Sequence, residues 1–231
     1  MITPPTLVLD LDGTLVDTAP DLLATLNAVL AGERLPPVTL DQVRAMTGAG
    51  ARALLERGMA AAGVVAGPER MDALFAAFID YYAAHIADHS RPFPGAPLAL
   101  QRFSDAGWRL AVCTNKLEGL ARLLLDALEL TPRFAAIAGG DTFAFRKPHP
   151  GHILETVRLA GGEPGRAVMV GDSAADINAA RAGGVPVIGM TFGYTDIPVV
   201  ALNPDATLDH FDDLYDAAIR LLPARIATAG A

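Results

Sequence analysis

Four short apolar runs, Thr6–Leu9, Arg109–Cys113, Ala167–Val170 and Val185–Ile188, do most to limit what this chain can fold into. Runs this short, with no polar alternation, are buried on both faces, as strands of a parallel sheet are. A weaker run, Phe134–Ala138, precedes Gly139-Gly140, and a sixth lies near Ala206–Leu208. Helical patterns over Ala96–Asp105, Glu118–Leu128, Gly151–Leu159, Ala174–Ala182 and Phe211–Leu221 fall between or after them. Strands alternating with helices predict an α/β fold built on a doubly wound, Rossmann-like parallel sheet.

From Thr18 to Arg91 that alternation stops, and four helical stretches replace it. The segment reads as an inserted all-helical domain, 18–91, dividing an α/β core made of 1–17 and 92–231. Thr18 with Asp21, and Thr39 with Gln42, have capping-box spacing, and Gly67-Pro68 separates two of the stretches. Because the insertion leaves just after the first strand, it should hang over the carboxyl edge of the sheet. The tail Ala224–Ala231 is expected to fray.

Charge then narrows the function. With 18 basic against 26 acidic residues, the net charge of −8 leaves no basic face for nucleic acid. No apolar run nears the roughly 20 residues that span a bilayer, and Met1–Asp10 lacks the basic start of a signal peptide. A cytoplasmic protein is expected, with a homo-oligomer left open. The one cysteine, Cys113, cannot form an internal disulfide and sits in an apolar run as a small hydrophobe. Only two of the 18 basic residues are lysine, Lys116 and Lys147, so either a compact ammonium matters there or an arginine-rich composition left them by chance.

The chemistry gathers where the runs end. Asp10-Leu11-Asp12-Gly13-Thr14 follows the first, Thr114-Asn115-Lys116 the second, and Gly171-Asp172-Ser173-Ala174-Ala175-Asp176 the run at 167–170. In an open parallel sheet these carboxyl ends form the ligand crevice. On an extended strand Asp10 and Asp12 would face the same way. Two such carboxylates need a cation between them, or one must keep its proton for use as an acid. With Asp172 added, a hard divalent ion, Mg²⁺, suits the oxygen donors. Lys147 and the amides around Gly13 and Thr14 extend the positive field, so the expected guest is an anion such as phosphate. Asp176 can support the metal site, cap the helix that Ser173 opens, or both. His85 and His89 read as a solvated helix face rather than a zinc pair, and His149 and His152 as turn-capping residues.

Taken together, Asp10-Leu11-Asp12-Gly13-Thr14, Thr114-Asn115, Lys147-Pro148 and Gly171-Asp172 with Asp176 resemble the motifs of the haloacid dehalogenase-like phosphohydrolases. The resemblance runs from Leu7 to about Tyr194 and includes a helical cap. It implies Asp10 as nucleophile and Asp12 as general acid, with Asp10, the Asp12 backbone carbonyl and Asp172 holding Mg²⁺. It also implies Thr114, Asn115 and Lys147 as the phosphoryl clamp. Finer features, among them Pro94-Gly95, Lys147-Pro148-His149-Pro150 and Phe192-Gly193-Tyr194, are most similar to phosphoglycolate phosphatases. Gly48 and Gly50, ahead of a helix carrying Arg52, then either read the substrate's carboxylate or simply connect two helices. The implied partner is a small phosphorylated metabolite. A sugar-phosphate phosphatase, a pyrophosphatase and a β-phosphoglucomutase-like enzyme are the enzymatic alternatives; a phosphate-responsive binding module is the other.

Overall fold

A computed structural model describes residues 3–195 and 197–222, so the tail expected to fray lies outside the described residues. The sheet is six-stranded and parallel: β1 (Thr6–Leu9), β4 (Arg109–Cys113), β5 (Ala136–Ala138), β6 (Ala167–Gly171), β7 (Val187–Met190) and β8 (Ala206–Leu208), in the order β5-β4-β1-β6-β7-β8. The run at Val185 becomes a strand two residues late. The Val185 N–H is taken by the Ala180 carbonyl at a helix end, and Pro186 has no N–H to offer.

Alternate strand residues enter different cores, as the pleat requires. Val8, Cys113, Met169 and Val187 pack under α7 (Pro150–Leu159) and α8 (Ala174–Ala182). Leu7, Leu9, Leu110, Val112, Val168 and Val170 face a second core containing α5 (Ala96–Asp105) and α9 (Leu214–Leu221). A 3₁₀ turn, Phe211–Asp213, occupies the start of the expected last helix. The sheet's winding reverses about β1, which places the crevice between the ends of β1, β4 and β6.

The helices α1 (Ala19–Gly32), α2 (Leu40–Met46), α3 (Ala51–Ala61) and α4 (Pro68–Ala84) fill the 18–91 stretch. The sequence pattern did not anticipate β2 (Val16–Asp17) and β3 (Arg91–Pro92), an antiparallel pair where the chain leaves and returns. Thr39 and Gln42 form their capping box. Thr18 and Asp21 do not: the Thr18 hydroxyl donates to Asp12 Oδ1 at 2.6 Å, and buried Asp21 accepts from the His89 and Ser90 amides and the Ser90 hydroxyl. The expected His85–His89 helix face is also corrected, because α4 stops at Ala84 and His85 turns to Asp88. Among the described residues no helix is long and apolar enough to cross a membrane.

Candidate active site

β1 ends at Leu9, and the Asp10 amide donates to the Val170 carbonyl at 2.9 Å, setting Asp10 between the ends of β1 and β6. The chain then turns back: Gly13 has φ +86°, and its N–H bonds the Val16 carbonyl. A Cβ at Gly13 would sit 2.6 Å from Asp172 Oδ2, so glycine serves both the turn and the close approach. This turn corrects the expectation that Asp10 and Asp12 face the same way as on an extended strand, because the strand ends at Leu9 and its alternation does not hold past it.

The two aspartates enter different surroundings. Asp10 Oδ1 lies 2.9 Å from Lys147 Nζ, which also donates to Asp176 Oδ1 and the Cys113 carbonyl, each at 2.6 Å. Asp12 Oδ1 accepts from Lys116 Nζ at 2.7 Å and from the Thr18 hydroxyl. Asp172 accepts from the Thr14 hydroxyl and the Tyr194 amide, both at 2.6 Å. Asp176 caps α8, accepting from the Ser173 amide and hydroxyl, and also accepts from Lys147.

Carboxylate oxygens of Asp10, Asp172 and Asp176 lie within 4.8 Å of one another, all buried. Burial lifts the Asp10 pKa to about 7, with Lys147 opposing and Asp176 and Asp12 adding to the rise. Burial, then Asp176 and Asp10, push Asp172 well above the carboxylate range. Burial works against the charge on Lys147, but Asp10 and Asp176 outweigh it and keep the ammonium protonated. Three crowded carboxylates facing one ammonium leave an acidic surplus, and an all-oxygen donor set suits a hard divalent cation.

The family model for haloacid dehalogenase-like hydrolases matches residues 7–190, spanning this whole constellation. The chain belongs to that family. A phosphoglycolate phosphatase of Caulobacter vibrioides is 51% identical over 94% of this chain and 92% of its own. One of Mesorhizobium japonicum is 50% identical over 95% and 97%. A crystal structure described as a predicted phosphoglycolate phosphatase from Haemophilus somnus superposes with TM-score 0.88 at 31% identity, covering 94% of this chain and 99% of its own.

In this hydrolase the cavity beside Asp10 and Asp12 is about 40 Å³. Thr114, Asn115, Lys116, Gly48, Gly50 and Tyr82 are among its lining residues. Buried Thr114 accepts from the Lys116 amide, which leaves its own hydroxyl hydrogen to donate. Both hydrogens of the Asn115 side-chain amide are engaged, by the carbonyls of Gly48 and Lys147, so this side chain ties two loops together. Arg52 is not brought here: its guanidinium pairs with Asp72 and lies 4.9 Å from the Phe75 ring centroid.

Lysine scarcity marked Lys116 without giving it a role. Tyr82, whose hydroxyl accepts from Lys116 Nζ at 3.0 Å, carried no signal, since an aromatic inside a helix reads as core. His149 caps α7 through the Gly151 amide, as expected of a turn residue. His152 accepts the Lys147 amide at 3.1 Å and so positions the Lys147 loop. Burial pushes the Cys113 thiol up to about 12, which fits an inert core residue.

Proposed function

We propose that this chain is a Mg²⁺-dependent phosphomonoesterase acting through a covalent phosphoryl-aspartate, with 2-phosphoglycolate as its substrate and 18–91 as a cap over the site. One observation carries the reading: two aspartates a residue apart have separate partners, which lets each take its own role, one as nucleophile and one as acid. Asp10 sits with Lys147 among buried carboxylates; Asp12 sits outside them with Lys116 and Thr18.

The Asp10 oxygen not held by Lys147 attacks phosphorus, and the ester P–O bond breaks as Asp12 gives its proton to the leaving oxygen. Asp12 then takes a proton from water, whose oxygen attacks the phosphoryl-aspartate and returns Asp10 as carboxylate. Lys147 anchors Asp10 and steadies the charge on the transferring group, and Thr114 donates to that group from the end of β4. Asp10, the Asp12 backbone carbonyl and Asp172 would hold Mg²⁺, which when bound neutralises phosphoryl oxygen charge.

The relatives named for phosphoglycolate support the substrate. The test is phosphate release with Mg²⁺ present or chelated, across 2-phosphoglycolate, sugar phosphates and pyrophosphate, with Asp10→Asn as control. Mg²⁺-dependent turnover favouring 2-phosphoglycolate and absent in Asp10→Asn is expected. Preference for a sugar phosphate or pyrophosphate would overturn the substrate, and stable phosphorylation without turnover would point to a binding module.

A further inference from the structure

The cavity poses an electrostatic problem on its leaving-group side. An acid such as glycolate departs carrying a carboxylate, and Asp12 becomes a second one as it gives up its proton. Bond lengths put that carboxylate on the order of 3 Å from the ester oxygen that Asp12 must protonate. A cation is therefore needed close to Asp12, and Arg52 faces elsewhere. Among the described residues Lys116 is the only basic one lining the cavity.

The ammonium of Lys116 is fixed from two sides. Nζ donates to Asp12 Oδ1 at 2.7 Å and to the Tyr82 hydroxyl at 3.0 Å, and it lies 4.7 Å from the Tyr82 ring centroid. An ammonium has three donors. Among the described residues no acceptor is bonded to the third. The side chain is 6% exposed, so a free donor there has little bulk water to satisfy it. Leu22, Leu54, Leu117 and Leu120 supply an apolar wall around it, where a charge-assisted bond is strong. Tyr82 comes from α4 and Lys116 from the loop after β4, so the ammonium is placed only when the helical segment lies over the sheet.

We propose that Lys116, held by Asp12 and Tyr82, is the specificity-determining residue that receives the substrate's carboxylate through its third donor. The inference rests on the phosphoglycolate reading and extends it. A two-carbon ester without the carboxylate would lack this bond, so discrimination against it falls on one side chain.

The experiment compares kcat and KM for 2-phosphoglycolate and for 2-hydroxyethyl phosphate, which keeps the two-carbon chain and replaces the carboxylate by a hydroxyl. Wild type, Lys116→Met, Lys116→Arg and Tyr82→Phe are measured with saturating Mg²⁺. Loss shared by both esters reports the ion pair with Asp12; extra loss on 2-phosphoglycolate reports the carboxylate contact. In Lys116→Met the preference for 2-phosphoglycolate is expected to fall on the order of 10- to 100-fold, mainly through KM. Lys116→Arg should restore part of it, and Tyr82→Phe should lower it less. Equal losses on the two esters, or no loss, would overturn the inference. If Lys116→Met fails to fold by circular dichroism, Tyr82→Phe decides by the same ratio. A wild type without preference would overturn the substrate assignment and this inference together, whereas a selective wild type with unselective losses overturns the inference alone.

Discussion

Lys147 meets three acceptors with its three donors, and among the described residues no other cation touches Asp10 or Asp176. Removing one partner of a buried ion cluster strands the rest without compensation. Lys147→Met is expected to cost about 3 kcal/mol in urea unfolding of the metal-free protein at pH 7 and to lower kcat on the order of 10³-fold. Unchanged stability would show that Lys147 does not offset the carboxylates. Arg52→Ala is the contrasting case, since Arg52 and Asp72 side chains are 44% and 68% exposed. It should shift stability by about 1 kcal/mol or less and leave the ratio of activities on 2-phosphoglycolate and a neutral aryl phosphate unchanged. Lys147 was legible because lysine is scarce in this chain and Lys147-Pro148 resembles one of the family's motifs. Arg52 misled because its place near the start of α3 says nothing about which way a long side chain turns.

Unbroken apolar runs revealed the strands because burial on both faces leaves a mark in composition. The β2–β3 pair left none, being two residues per strand and containing Pro92, and the Asp10–Asp12 turn lay beyond the reach of a period-two rule. At the start of α7, where His149 supplies the cap, His152 accepts the Lys147 amide from a buried position. Burial, aided by Lys147, pushes its pKa down to about 4 from 6.5, so it stays neutral in the fold. Between those values the unfolded chain binds a proton that the native state refuses, and stability falls as pH drops from 6.5 toward 4. His152→Gln lacks that proton uptake. In saturating Mg²⁺, wild type should lose up to about 3 kcal/mol more than His152→Gln between pH 7 and pH 4 in urea titrations. Parallel pH profiles would refute the neutral buried imidazole.

The helical insertion was visible as a break in strand–helix alternation, but its attachments to the sheet join residues far apart in sequence, and no local pattern encodes them. Asn115 bonds the Gly48 carbonyl, Lys116 meets Tyr82, and Tyr194 accepts from the Ala19 amide at 2.9 Å while its hydroxyl bonds Asp17. Beneath these contacts Asp21 fastens the return crossing to the outgoing one. It is 1% exposed and accepts the Ser90 amide at 2.7 Å, the Ser90 hydroxyl at 2.6 Å and the His89 amide at 3.0 Å. Asp21→Ala leaves buried donors unmatched and should cost about 3 kcal/mol in urea unfolding. Because the crossing positions α4, and with it Tyr82, kcat/KM on 2-phosphoglycolate should fall as well. Thr39→Ala, which removes only the exposed cap of α2, should cost about 1 kcal/mol and leave kcat/KM unchanged. Hydrogen exchange separates a loosened crossing from general destabilisation: in Asp21→Ala, amides 89–91 and 16–19 should exchange faster while β1 and β6 keep their protection. Uniformly faster exchange across the sheet would mean that Asp21 supports the fold at large and does not hold the helical segment in register with the site.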